Sequence, residues 1–293
     1  EGYPRGPRPD HHAKSQNPNH LIMIRKALFY SIAFALAVLP LPAAALEVAG
    51  SFIQGGLVTG RAVPGTRLFL DGKAVPVSPT GDFMLGFGRD APPEVVLREI
   101  RPDGGKKTIH LLTIRQRSYQ IQRIEGLPRR KVTPNSNDVA RIRTESRLVA
   151  AAQEKTAATS LSVSGFAWPA KGRISGVYGS QRVLNGKPRR PHLGVDVAAP
   201  VGSPVTAMAN GRVIFTHPGM FFNGQSIILD HGLGLSSIYI HLSAVAVEQG
   251  QKVLKGQLIG KIGKTGRVTG PHLHWGVRWN GVDLDPALLV PPR

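Results

Sequence analysis

The sequence predicts a mainly β protein, with a small N-terminal sandwich-like β module, a helical linker and a C-terminal antiparallel β domain. Three observations carry this expectation. The chain holds 34 Gly and 24 Pro but only 6% aromatic residues, a composition of many turns and short strands. Asp-Gly and Asn-Gly pairs recur between apolar runs, and both central residues of a type I′ hairpin turn need positive φ. Helical spacing is confined to one stretch between the two β regions.

At 293 residues the chain has room for two domains and an export segment. Residues 23–45 read as a signal peptide. Arg25 and Lys26 precede the apolar run Ala27 to Leu39, which Pro40, Pro42 and Ala43 to Ala45 follow. A basic start, an apolar centre and small residues at the A-x-A positions predict cleavage after Ala45, a mature chain from Leu46, and membrane contact only in transit. An uncleaved anchor is the competing reading, but a spanning helix wants ~20 apolar residues without prolines near its end. Residues 1–22 are polar and sit ahead of Met23, so they read as upstream or added sequence. His11, His12 and His20 fall there and are assigned no role.

Residues 46–126 form the first β module. Arg67 to Leu70, Asp71-Gly72 and Ala74 to Val77 read as a hairpin, as does Asp103-Gly104 before Thr108 to Ile114. His110 lies in that last run and reads as structural. Residues 127–160 make the linker, with a helix over about 136–155, Asn135 or Ser136 as its cap, and Val139, Ile142 and Val149 as its apolar stripe. Residues 161–293 return to strands and Gly turns, at Asn210-Gly211, Gly232 and Asn280-Gly281. Helical periodicity is absent there, which predicts a compact antiparallel β domain.

The net charge is +19, from 37 Lys and Arg against 18 Asp and Glu, and 14 basic against 5 acidic side chains lie in residues 161–293. Such a balance suits nucleic acid, anionic lipid or a carboxylate-bearing cell wall, and charge alone does not choose among them. No RNA- or DNA-binding motif accompanies it, so no nucleic-acid partner is expected. The absence of cysteine excludes disulfides and every thiolate-held metal. Any metal must be held by His and carboxylate.

Three segments supply such groups. In Pro191-His192-Leu193-Gly194-Val195-Asp196, an extended backbone puts 192, 194 and 196 on one face, and Gly194 leaves space between the two side chains. In Gly270-Pro271-His272-Leu273-His274-Trp275, the i, i+2 histidines point to one side of a strand and Leu273 to the other. In Tyr239-Ile240-His241, His241 reads as a strand-end residue with the inward parity of Tyr239. There is no H-E-x-x-H helix and no Ser- or Cys-centred nucleophile motif.

H-x3-D, then a lone His in Y-x-H-L, then H-x-H within G-P-H-L-H, in that order over ~80 residues, resemble the lysostaphin-type (LytM-like) zinc metallopeptidases. Gly176 to Gly179, Gly194 to Val197, Asp230-His231-Gly232 and Gly260 to Gly263 are similar to that family too, over about residues 166–289. The resemblance implies a lysostaphin-like metallopeptidase domain. It implies that His192, Asp196 and His274 bind one Zn2+ per chain, and that His241 and His272 stay unliganded as catalytic residues. Two His and one carboxylate with an open fourth position are the donor set of a catalytic zinc, which is the chemistry the residues support by themselves. His231 matches a family position of structural role, and His217 and His231 both read as turn residues.

The implied function is zinc-dependent hydrolysis of peptide cross-links in bacterial peptidoglycan, by an exported enzyme of the periplasm or cell envelope. The alternative from another class is a catalytically silent wall-binding or hydrolase-activating protein on the same fold, which predicts missing ligands. A third, a biotinyl- or lipoyl-type carrier, is suggested by Gly202 to Ala207 and Gly250 to Gly256, but Met208 to Gly211 offers no modifiable Lys.

Overall fold

A computed structural model describes residues 46–102, 107–162 and 164–293. The signal segment 23–45, the upstream residues 1–22 and the Asp103-Gly104 turn lie outside the described residues. Strands dominate, in keeping with the mainly β expectation. No described helix is long and apolar enough to cross a membrane.

In the first module β1 (Glu47–Gly50), β2 (Leu57–Arg61), β3 (Arg67–Leu70), β4 (Lys73–Val75), β5 (Asp82–Gly86), β6 (Glu94–Ile100) and β7 (Lys107–Thr113) make two antiparallel sheets, ordered β1-β2-β5 and β4-β3-β6-β7. Asp71 (φ 46°) and Gly72 (φ 80°) close the β3–β4 hairpin, the two positive φ values that a type I′ turn demands. β6 alternates strictly, burying Val95, Leu97 and Glu99. Glu99 is matched by Arg101 at 2.8 Å and by His110 at 3.0 Å, which gives His110 its structural place. Val58, Leu68, Phe83 and Leu97 of this module share one buried cluster with Val277, Trp279 and Leu284 far along the chain.

β8 (Ile121–Ile124) falls inside the expected 46–126 module but pairs in parallel with residues 181–184 of the C-terminal domain, and the linker that follows forms α1 (Arg129–Val132) and α2 (Ser136–Gln153). The Asn135 side chain caps α2 by accepting from the Asp138 amide at 2.9 Å, satisfying one of the orphan donors of the first turn. Its fully buried residues are Asp138, Glu145 and Ala152, while the expected stripe of Val139, Ile142 and Val149 is half-buried, with Val149 packed against Ala152, Phe215 and Ile228. Each carboxylate is paired: Asp138 with Arg130 through two contacts of 2.6 Å, Glu145 with Arg141 at 2.7 Å and with the Phe221 amide at 2.8 Å. The helix therefore docks as a polar clamp on the C-terminal domain and is more than a spacer.

That domain contains β9 (Arg173–Gly176), β10 (Gln181–Leu184), β11 (Lys187–Pro188), β12 (Val195–Ala198), β13 (Pro204–Thr206), β14 (Gly211–Met220), β15 (Gly224–Gly232), β16 (Leu235–Val245), β17 (Lys252–Val253), β18 (Leu258–Ile262), β19 (His272–Trp279) and β20 (Val282–Leu284). The main sheet runs β17-β14-β15-β16-β19-β12-β9. Asn280 (φ 43°) and Gly281 (φ 83°) turn β19 into β20, whereas Asn210-Gly211 makes no hairpin, since β13 pairs with β18 and β14 with β15 and β17. The β15–β16 turn is Leu233-Gly234, both at positive φ. His217 and His231 lie within β14 and β15, because these strands are longer than their apolar runs suggest. Along β19, Leu273 and Trp275 have no exposure, and full burial of each such side chain contributes roughly 2–3 kcal/mol. The opposite face of that strand is left for His272 and His274.

Candidate metal centre and active site

The site is built on the β16-β19-β12 strip. Asp196 pairs across the ladder with His274, and Ala198 with His272. Residues directly opposite share a face, so Asp196, His272 and His274 stand together on the side away from Leu273 and Trp275. His192 enters from the turn before β12. Its amide donates to Ser180 O at 2.8 Å, its carbonyl accepts from the Gly179 amide at 2.7 Å, and its ring Nδ1 lies 3.0 Å from Val177 O. Since a carbonyl only accepts, Nδ1 carries the proton and Nε2 presents a lone pair.

His192 Nε2, Asp196 Oδ1 and His274 Nδ1 converge at 3.0 Å, 2.8 Å and 2.9 Å from one another. These three residues are the group of His and carboxylate side chains that could hold a metal among the described residues. A tetrahedral ion with bonds of ~2.0–2.1 Å separates its ligand atoms by about 3.3 Å, so small movements admit one. The protonation states also suit a cation. Burial alone would raise the Asp196 carboxyl, but hydrogen bonds to His192 and His274 outweigh it and hold it well below the usual carboxylate range. Burial pushes His274 down to about 4 against the pull of Asp196. The lowered values of Asp196 and His274 favour the unprotonated forms that metal binding requires. Arg182 donates to Asp196 Oδ2 at 2.7 Å, fixing the carboxylate from behind.

His241 and His272 complete the cluster. Their ring centroids are 4.9 Å apart, and His272 Nε2 is 3.8 Å from Asp196 Oδ1. His241 Nδ1 donates to Thr265 O at 2.8 Å and His272 Nδ1 to Gly270 O at 2.9 Å, which leaves Nε2 of each for other work. Burial, followed by the charges of His272 and His274, lowers His241 well below its ordinary value. The parity expected for His241 is corrected. Tyr239 sits opposite Trp275 and Ile240 opposite His274, so unbroken alternation would send His241 to the Trp275 side. Instead its φ is 65° and the register shifts on two of the three partners of β16, β15 and β18. A bulge turns the imidazole onto the site face. His231, fully buried, is held by Asn210 O at 2.8 Å and Ser237 Oγ at 2.7 Å, away from the cluster.

Two glycines make the room. A Cβ on Gly176 would lie 2.3 Å from Asp196 Oδ2, and one on Gly194 would lie 2.7 Å from His274 Nε2 and 2.6 Å from Trp275 O. The space beside Gly194 is therefore taken by the His274 ring. Gly194→Ala is expected to displace that ring and lower the affinity of the site for a divalent metal by ~10–100-fold, the scale of lost outer-shell support. A competition titration against a chromophoric chelator measures it, and an unchanged affinity would refute the steric role.

A cleft of about 630 Å³ opens onto His192, His241 and His274 and is walled by Thr133, Ile142 and Arg189. A smaller one of about 150 Å³ reaches Asp196, His241 and His272 from the β8 side. The 940 Å³ cleft beside Trp168 has no His or carboxylate in its walls, so the chemistry lies with the former pair. Sequence reasoning did not single out Arg182, Arg189 or Arg267 in these walls. Asn185-Gly186, which turns β10 into β11, was the available signal for the first two.

Residues 190–286 match the model of Peptidase family M23. The peptidoglycan DD-endopeptidase ShyA of Vibrio cholerae is 47% identical over 87 residues, 29% of this chain and 20% of that protein. The DD-carboxypeptidase/endopeptidase Mpg of Neisseria meningitidis is 42% identical over 104 residues, 35% of this chain and 24% of that protein. The chain thus spans about a fifth to a quarter of these curated relatives. Among solved structures, a Pseudomonas aeruginosa protein described as a peptidase M23 aligns with a TM-score of 0.62 and 29% identity, over 81% of this chain and 93% of that one. The matched segment contains all five site residues, and residues 190–286 form a peptidase M23 (LytM-like) domain.

Proposed function

We propose that residues 161–293 form a zinc-dependent endopeptidase domain that hydrolyses peptide cross-links of bacterial peptidoglycan, in a protein exported to the periplasm or cell envelope. The observation that carries this reading is the convergence of His192 Nε2, Asp196 Oδ1 and His274 Nδ1 within 3.0 Å, with two further imidazoles beside them. His192, Asp196 and His274 would hold the zinc. When bound, zinc supplies Lewis acidity, polarising the scissile carbonyl and acidifying a water. His241 and His272, tethered at Nδ1, act through Nε2. One takes the proton of the attacking water on the lone pair of its Nε2 and returns it to the leaving amine as the C–N bond breaks, and the other, carrying a second proton as imidazolium, would donate from Nε2 to the oxygen that gains charge. Export is supported by the apolar segment at 23–45, and the wall substrate by the names of the similar proteins.

The test couples metal content to digestion. Purified mature protein is expected to hold about one zinc per chain, to release amines from purified wall, to stop on chelation and to recover with added zinc. Zinc-loaded protein that adheres to wall without releasing amines would replace hydrolysis by the silent wall-binding reading.

A further inference from the structure

The walls of the two clefts are cationic. Arg182 and Arg267 line both, Arg189 and Arg190 line the larger, and Asp196 is the single carboxylate in either wall. That carboxylate is already shared between Arg182 and the two ligand imidazoles. The arginines differ in what they are free to do. Arg189 donates to Pro188 O and Val132 O, both at 2.8 Å, and so braces α1 against β11. Arg182 is committed to Asp196. Arg267 is half-buried, and among the described residues its guanidinium has no carboxylate partner and lies over the Phe222 ring, 4.2 Å from the ring centroid.

This is an unusual place for an unmatched charge. Burial, reinforced by the like charges of Arg182 and Arg189, lowers Arg267 to about 10, so the folded chain gives up free energy to keep a cation there. A guanidinium stacked on an aromatic face is held in a fixed plane, which pre-orients its paired N–H donors for a planar anion. Carboxylate is the group that such a fork meets with two parallel hydrogen bonds.

We propose that Arg267, within the positive field of Arg182 and Arg189, forms a carboxylate-binding subsite beside the metal centre, so that the preferred substrate is a peptide bearing a free carboxylate close to the bond that is cut. This rests on the endopeptidase reading above and deepens it to a substrate class. Arg267 is a specificity residue in this scheme. It fixes the peptide in register with His241 and His272, which line the same smaller cleft.

The test uses the full zinc-loaded chain and two substrate pools. One is a set of soluble cross-linked wall peptides with carboxylates free, and the other is the same set with those carboxylates converted to primary amides. The parent is expected to favour the free acids by ~10-fold or more in kcat/KM, the scale of one charge-assisted pair. Arg267→Gln should bring the two pools close to equal, mainly by losing rate on the acids, with zinc content unchanged. Arg267→Lys should keep part of the preference, because the charge remains while the fork is lost. A parent indifferent to amidation, or an Arg267→Gln variant that keeps the full preference, would overturn the subsite. If the parent cleaves neither pool, the endopeptidase reading fails, and a binding arm decides the subsite alone. There N-acetyl-D-alanine and its amide are titrated by NMR into parent and Arg267→Gln. Tighter binding of the acid in the parent only supports the subsite, and the same preference in both proteins assigns the carboxylate to the zinc instead.

Discussion

His274→Ala and Asp196→Ala are each expected to leave the purified protein with less than about 0.1 zinc per chain, against about one for the parent. Three donors converge at the centre, and two alone do not hold a catalytic ion against exchange with water. Asp196 is the more sensitive of the two. It supplies the single negative charge facing Arg182 and Arg267 in those walls, so its removal leaves a field that repels a cation as well as a missing bond. The fold should survive both changes, because the core-facing residues of β19 are Leu273 and Trp275. Metal analysis after dialysis, beside circular dichroism, provides the measurement, with wall digestion expected to fall by ~10³-fold or more. Full zinc occupancy in either variant would show the ligand assignment to be wrong.

The parts of this site that were readable in the sequence are those set by strand geometry alone. His272 and His274 share a face because strand side chains alternate, and β19 obeys that rule from end to end. Asp71-Gly72 and Asn280-Gly281 turn where they stand because both positions of each tolerate positive φ. What the sequence hides is set by long-range contact. His241 reaches the site through a bulge that depends on register with β15 and β18, and a local pattern of alternation carries no trace of it. The buried face of α2 holds Asp138 and Glu145, which a hydrophobic stripe argument passes over, because their partners Arg130 and the Phe221 amide lie outside the helix. Arg182 and Arg267 look like surface cations until the fold sets both in the wall of the cleft that Asp196 lines. Asn210-Gly211 has hairpin chemistry but joins strands that pair elsewhere, since Ala207, Met208 and Ala209 before it are drawn fully into the core.

In the proposed scheme, removing an imidazole that stands beside the three-donor group without belonging to it should separate chemistry from metal binding. His241 and His272 are each tethered at Nδ1 to a backbone carbonyl, at Thr265 and Gly270, and neither belongs to the three-donor group. His241→Ala and His272→Ala are therefore expected to keep about one zinc per chain and a native circular dichroism spectrum. Hydrolysis should still fall by ~10²–10³-fold or more, the range for loss of a general base or of a donor to the developing oxyanion. Asn in place of His241 preserves a side-chain donor but no titratable nitrogen, so it should restore rate only if His241 serves the oxyanion. Released amines from wall digests, read beside the zinc content of each variant, make the comparison. Loss of zinc in His272→Ala with retention in His274→Ala would require the two histidines to exchange roles. Parent-rate cleavage in both His241→Ala and His272→Ala would remove the proposed proton relay altogether, because no other His or carboxylate apart from the ligands lines the two clefts.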